Sequence, residues 1–310
     1  MLVGSLCLSH SPLKYYVAPS VEVETAFDAA IAQAMNMVSD LAPDLVVIFY
    51  PDHINGFFYR LLPSFCVGIE GVSIGDYGSV AGRLDIPAQR ASDLARYALH
   101  SGVDVAISHD MQVDHGAMQP LEWLMQYTSV RQAIPVFINC AAPPLPLFQR
   151  VRALGQAVGD WARQAPERVL IVGSGGLSHD PPMPSLENAA PEVRTRIVGG
   201  NAMSHQQRFA RQHRASVAGR NMAGGTSNIL PACAEWDRML LDAFAQGNLN
   251  VLDHAVDNEI SAKGGRGGHE VRTWVAALAA LREGYKATEV FHQVIDEWIT
   301  GMGIMVATEA

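Results

Sequence analysis

The stretch APDLVVIFYPDHINGFF, residues 42–58, decides how the chain is read. Its centre, Leu45 to Tyr50, is an unbroken apolar run of β-branched and aromatic residues. A strand with one wet face alternates apolar and polar positions, so an unbroken run fits a strand buried on both faces. The run delivers Asp52 and His53, then an Asn55-Gly56 turn and the pair Phe57 and Phe58. In open α/β sheets, ligands bind in the crevice beyond the carboxyl ends of the strands. His53 therefore stands where such folds do their chemistry.

The same arrangement recurs three times. His10 follows LVGSLCLS, with Pro12 stopping the ladder. His115 follows DVAISHDMQVD, and His179 follows RVLIVGSGGLS. Four imidazoles brought to one sheet edge would form a metal or proton-transfer site despite their spread along the chain. Taken singly, a histidine beside a turn is more often a hydrogen-bonded structural residue. His109 is a weaker alternative to His115, because it lies nearer the strand.

Outward from these runs, strands are predicted over 2–8, 45–50, 104–108, 134–139 and 168–172. Helices are predicted over 22–41, 87–101 and 147–164. The first has Val23, Ala26, Ala29, Ile31 and Met35 as its inner face. From about residue 190 the pattern turns helical, over 191–216, 234–246, 250–262 and 270–283. The small, glycine-rich stretch 218–232 reads as a mobile loop, either a lid or a plain connection. This predicts an α/β fold with a central sheet flanked by helices, a helix-rich C-terminal third, and one domain over 1–310.

Of the 310 residues 49% are hydrophobic and only 17% charged, with a formal net charge of −9. That balance provides ample core and suggests subunit interfaces, hence a homo-oligomer. No basic tract is present, which argues against nucleic acid. No apolar run reaches the roughly 20 residues of a membrane helix. Cys7, Cys66, Cys140 and Cys233 match no metal or redox spacing and read as free thiols. With no signal-type N-terminus, a cytoplasmic location is expected.

The glycines at 173, 175 and 176 before His179 are not a phosphate-binding loop, a dinucleotide fingerprint or a nucleophile elbow. The Lys-Ser/Thr pair, the third glycine and the leading glycine are respectively missing. They read as shaping a pocket wall and aiming His179. In GGRGGHE, residues 264–270, Glu270 opens an amphipathic helix. A first-turn carboxylate is usually a dipole partner, but the glycine-rich approach would also let the helix start come close to a ligand. Asp114 is placed to tune its neighbourhood. Two imidazoles and one carboxylate compose the facial triad of non-haem Fe(II) oxygenases, leaving positions for a catecholate and dioxygen.

LSHSP at 8–12, PDHINGFF at 51–58, MQVDHG at 111–116, GSGGLSHDPP at 173–182 and HEVRTW at 269–274 occur in that order. With IPVFIN at 134–139 and PPLP at 143–146, they closely resemble the type III extradiol ring-cleavage dioxygenases. This family is related to the catalytic subunit of protocatechuate 4,5-dioxygenase. The resemblance runs from about residue 5 to 300 and is weakest over roughly 184–232. It implies extradiol cleavage, by O2, of a catechol with a propionate or cinnamate side chain. It implies Fe(II) held by His10, His53 and Glu270. It implies acid–base roles for His179, as the base that ionises the catechol, and His115, as the proton donor, or the two exchanged, since motif position does not fix proton direction, with Asp114 modulating His115. For the substrate carboxylate, Arg60, Arg266, Arg272 and Asn55 lie near the motifs. Other readings are a different 3-substituted catechol as substrate, or a zinc-dependent hydrolase using the same histidines.

Overall fold

The computed structural model describes residues 1–310. In chain order its elements are β1 (Leu2–Leu8), α1 (Val21–Asp40), β2 (Leu45–Tyr50), β3 (Phe65–Gly68), β4 (Gly71–Ser73), β5 (Gly82–Arg83), α2 (Ala88–His100), β6 (Ala106–Ser108), β7 (Met111–Val113) and α3 (His115–Tyr127). There follow β8 (Gln132–Ile138), α4 (Phe148–Gln164), β9 (Val169–Ser174), α5 (Pro191–Gly199), α6 (His205–Ala223), α7 (Ala234–Ala245), α8 (Asp257–Gly264), α9 (Val271–Ala279), β10 (Lys286–Ile295) and β11 (Thr300–Thr308).

Eight strands form the central sheet in the order β10-β11-β1-β9-β2-β8-β3-β6. Its middle, β1-β9-β2-β8, is parallel. Consequently the carboxyl ends of β1, β9 and β2 lie side by side at one edge. The unbroken apolar runs behave as expected. Leu45, Val47 and Phe49 face one hydrophobic cluster, while Val46, Ile48 and Tyr50 face the other. Helices α2, α4, α7 and α9 cover the first face, and α1 and α3 the second. The architecture is the predicted one, a large sheet flanked by helices.

Several details differ. The inner face of α1 is Phe27, Ala30, Ile31, Ala34, Met35 and Val38, whereas Ala26 and Ala29 are exposed. The bulky Phe27 sets the rotation, edge-on to Trp123 and Trp298. The C-terminal third is not purely helical, since β10 and β11 form an antiparallel pair that extends the sheet beside β1. The segment 191–216 breaks at Gly200, whose φ of +80° ends α5. Part of the predicted loop 218–232 is the last turn and a half of α6, which runs on to Ala223. Gly219 there packs under the Glu297 carbonyl, so a residue that reads as flexible marks a close contact. A small second sheet, β5-β4-β7, lies outside the main one.

Candidate active site

His10 lies two residues beyond β1 and His53 three beyond β2, so the parallel pairing of both strands with β9 brings them together. His115 arrives differently. It follows β7 of the small sheet and opens α3, with Asp114 as its N-cap. His179 follows β9 and is clamped by its backbone. Its N–H donates to the Gly264 carbonyl at 2.8 Å, and its carbonyl accepts from Gly267 at 2.9 Å. Glu270 sits at the entry to α9. All five residues are buried, each no more than 7% exposed. A Cβ at Gly267 would overlap the His179 imidazole, which explains the glycine-rich approach.

Three of the four imidazoles are oriented from behind. Ser174, the last residue of β9, donates its only hydroxyl proton to the Gly116 carbonyl. Its lone pairs are left to accept from His10 Nδ1–H at 3.0 Å. Asp114 Oδ2 takes His53 Nδ1–H at 3.0 Å, together with the His53 backbone N–H and the Asn55 amide. Asp76 takes His115 Nδ1–H at 2.6 Å and its backbone N–H at 2.8 Å. Fixing Nδ1–H on all three rings turns Nε2 to the common space, as outer partners do for metal-binding imidazoles. His53 and His115 stack at 4.3 Å between centroids, and His10 meets both edge-on.

Glu270 closes the cluster. One carboxylate oxygen accepts from the Gly176 N–H at 2.9 Å. The other lies 3.4 Å from His53 Nε2 and 3.2 Å from His179 Nε2. Burial would raise this carboxyl, but the facing His179, with His53 and His10, holds it well below the usual range. Burial lowers His10 to about 3, outweighing the pull of Glu270, so it stays neutral. Burial also acts to lower His53, yet Asp114 and Glu270 carry it well above the ordinary value. A cation among these groups would replace that proton. The donor set of neutral imidazoles and an ionised carboxylate suits a divalent metal. The ligand atoms of His10, His53 and His115 lie within 4.8 Å of one another, so an all-imidazole set is also available.

Of the histidines and carboxylates proposed from the sequence for the site, all but His109 are at this cluster. His109 is exposed beside Glu70. Asp114 bonds to His53 rather than to its neighbour His115, although its charge still acts on both. The direct partner of His115 is Asp76, which carries no motif and sits 39 residues away in sequence. Ser174 is equally silent. Non-glycine residues with left-handed backbones flank the site: Ile54 (φ 57°), Tyr77 (φ 48°) and Ile299 (φ 49°). Each costs of order 1 kcal/mol and is held by its surroundings. Of the arginines considered, Arg60 is exposed, Arg272 is buried against Asp257 and Phe148, and Arg266 braces Asp180 and the Pro181 carbonyl. The cleft over the histidines, about 60 Å³, is instead lined by Arg211, with Tyr77, Pro181, Met183 and Trp298. A larger cleft of about 520 Å³ between the small sheet and α3 contains no histidine.

Comparison with known proteins is consistent along the whole chain. Residues 4–303 match the family model described as the catalytic LigB subunit of aromatic ring-opening dioxygenase. A protein of Rhodococcus sp, 48% identical over 99% of this chain and 98% of its own length, is named 2,3-dihydroxyphenylpropionate/2,3-dihydroxicinnamic acid 1,2-dioxygenase. Proteins of the same name from Cupriavidus pinatubonensis and Paraburkholderia xenovorans are 44% and 45% identical, over 98% and 97% of this chain and 98% and 96% of their own. Among solved structures, an uncharacterized protein of Escherichia coli K12 shares the fold, with a TM-score of 0.52 at 13% identity over 98% of this chain and 99% of that one.

Proposed function

Because the chain belongs to the family of catalytic LigB subunits of aromatic ring-opening dioxygenases, we propose that its substrate is 2,3-dihydroxyphenylpropionate or the corresponding cinnamate. The ring is opened beside the diol rather than between its hydroxyls, and both atoms of O2 enter the product. The observation that carries this reading is the buried convergence of four imidazoles and one carboxylate, three of the rings locked in one tautomer from behind.

Ferrous iron would be held by His10, His53 and Glu270, the two-imidazole, one-carboxylate set of non-haem oxygenases. When bound, it would supply the redox chemistry that lets a catechol react with dioxygen. The protein does the rest. His179 takes the proton of a catechol hydroxyl, its ring held 3.2 Å from the Glu270 carboxylate. His115, its Nδ1 occupied by Asp76, exchanges protons with the cleft through Nε2 alone and serves as the acid for ring opening. Asp114 keeps His53 in register, and the walls of Pro181, Pro182 and Trp298 keep water out. The chain acts as one catalytic domain, since helices from both halves cover the sheet that carries the site.

The test is reconstitution of metal-stripped protein with Fe(II) under argon, followed by air and a panel of 3-substituted catechols. One O2 consumed per catechol, with a yellow ring-opened product, is expected. Absence of O2 uptake with every catechol refutes the proposal. Turnover that runs on Zn(II) without oxygen would establish a hydrolase on the all-imidazole set instead.

A further inference from the structure

We infer that Arg211 is the receptor for the carboxylate of the substrate side chain, and that Arg196 and Arg214 extend it into a cationic entrance. This rests on the catechol reading above and specifies what the catechol must carry. Arg211 belongs to α6. It is half-buried and is the only arginine lining the cleft above the histidines. It also lines a neighbouring cavity of about 440 Å³, which shares Pro182 and Met183 with that cleft. The charged residues around this outer cavity are Arg196, Arg211 and Arg214 against Glu192 alone. A protein of formal charge −9 thus surrounds the approach to its site with a local excess of positive charge. Such an excess attracts an anionic ligand against the overall field.

Arg211 lacks the partner that its charge calls for. Its two Nη atoms donate to the Asn55 side-chain oxygen and the His53 carbonyl, both at 2.9 Å. Both acceptors are neutral, and no carboxylate lies within ion-pair reach, unlike Arg266 and Arg272. Two of five guanidinium N–H groups are used, leaving a fork that matches a carboxylate. The contact with the His53 carbonyl ties the guanidinium to the backbone of a residue whose imidazole lines the same cleft, so a diol bound beside that ring would carry its side chain toward Arg211.

Arg211 equally ties α6 to the His53 loop, so the experiment separates recognition from support. Iron-loaded wild type, Arg211→Gln and Arg211→Lys are assayed on 2,3-dihydroxyphenylpropionate and on 3-propylcatechol, which lacks the charge. Binding of 3-phenylpropionate, which has no hydroxyls, to the metal-free proteins is followed by calorimetry. Removing a charge-assisted contact lowers the ratio of kcat/KM, charged over uncharged, by about 10- to 100-fold in the glutamine variant, mainly through KM. Lysine restores part of it, and 3-phenylpropionate binding follows the same order. An unchanged ratio, or an equal loss on both substrates with 3-phenylpropionate still bound, overturns the inference and leaves Arg211 a strut. Should the glutamine variant not fold, Arg196→Ala/Arg214→Ala serves. Its ratio falls severalfold and its kcat/KM for the acid loses salt dependence, and no change in either refutes the cationic entrance. If the wild type opens neither catechol, the catalytic proposal fails, and 3-phenylpropionate binding still decides the role of Arg211.

Discussion

Replacing Asp76 by asparagine distinguishes a proton-handling His115 from a metal-holding one. Asp76 accepts two N–H groups of the same residue, the backbone N–H of His115 at 2.8 Å and its Nδ1–H at 2.6 Å. An amide cannot serve both. Whichever way it turns, its NH2 faces one donor, unless the ring moves its proton from Nδ1 to Nε2. That shift removes the lone pair at the nitrogen facing the cleft. A hydrogen bond to a charged group contributes about 1.5–3 kcal/mol, and each 1.4 kcal/mol or so is tenfold in rate. kcat should therefore fall by about 10- to 100-fold, with KM nearly constant and iron content intact. Initial rates on an oxygen electrode at saturating catechol, with iron measured by atomic emission, supply both numbers. A kcat within about twofold of wild type would refute the orienting role. Iron lost in proportion to activity would assign His115 to the metal, since outer-partner changes weaken metal sites by about 10- to 100-fold.

Ser174→Ala removes the acceptor of His10 Nδ1–H. It should weaken iron binding about 10-fold or more in a chelator competition, with undiminished affinity counting against the tautomer argument. Gly267→Ala drives a methyl group into the His179 ring and should lower kcat at least about tenfold while iron stays bound; retained kcat would mean that His179 has no part in turnover. For the metal-free protein, burial lowers His10 to about 3 and His269 to about 4, the latter helped by Arg272. The unfolded chain takes up these protons below pH about 6.5 and the folded one does not, so their effect is nil above that pH. Stability is then lost as pH falls toward 4, by about 1.4 kcal/mol per pH unit for each group. Urea unfolding at pH 7, 6 and 5 should show this slope, reduced in His269→Gln; an identical slope in that variant would remove His269 from the account.

The central strands were legible because a strand buried on both faces must be apolar throughout, and Leu45–Tyr50 and Val169–Val172 are. The C-terminal hairpin was not legible. Residues of β10 are half-exposed and mixed in polarity, so nothing in their order separates them from a helix flank. The rotation of α1 was missed because alanines can lie on either face, and the helix followed its one large ring, Phe27. His10, His53, His179 and Glu270 stood out because each closes or opens a strongly patterned segment. Asp76, Ser174 and Arg211 did not, because hydrogen bonding from behind a site or across a cleft depends on the positions of distant segments and leaves no local pattern.

By itself, then, the order of residues determined an α/β sheet, the identity of the family and a short roster of titratable side chains, because hydrophobic periodicity and motif spacing are properties of the chain. The tertiary structure decided which nitrogen His10, His53 and His115 turn inward and which hydroxyl or carboxylate stands behind each. It also decided that α6 brings a cation to the mouth of the cleft. Those are relations between segments up to about half the chain apart, and they exist only once parallel pairing of β1, β9 and β2 has brought their ends to one edge.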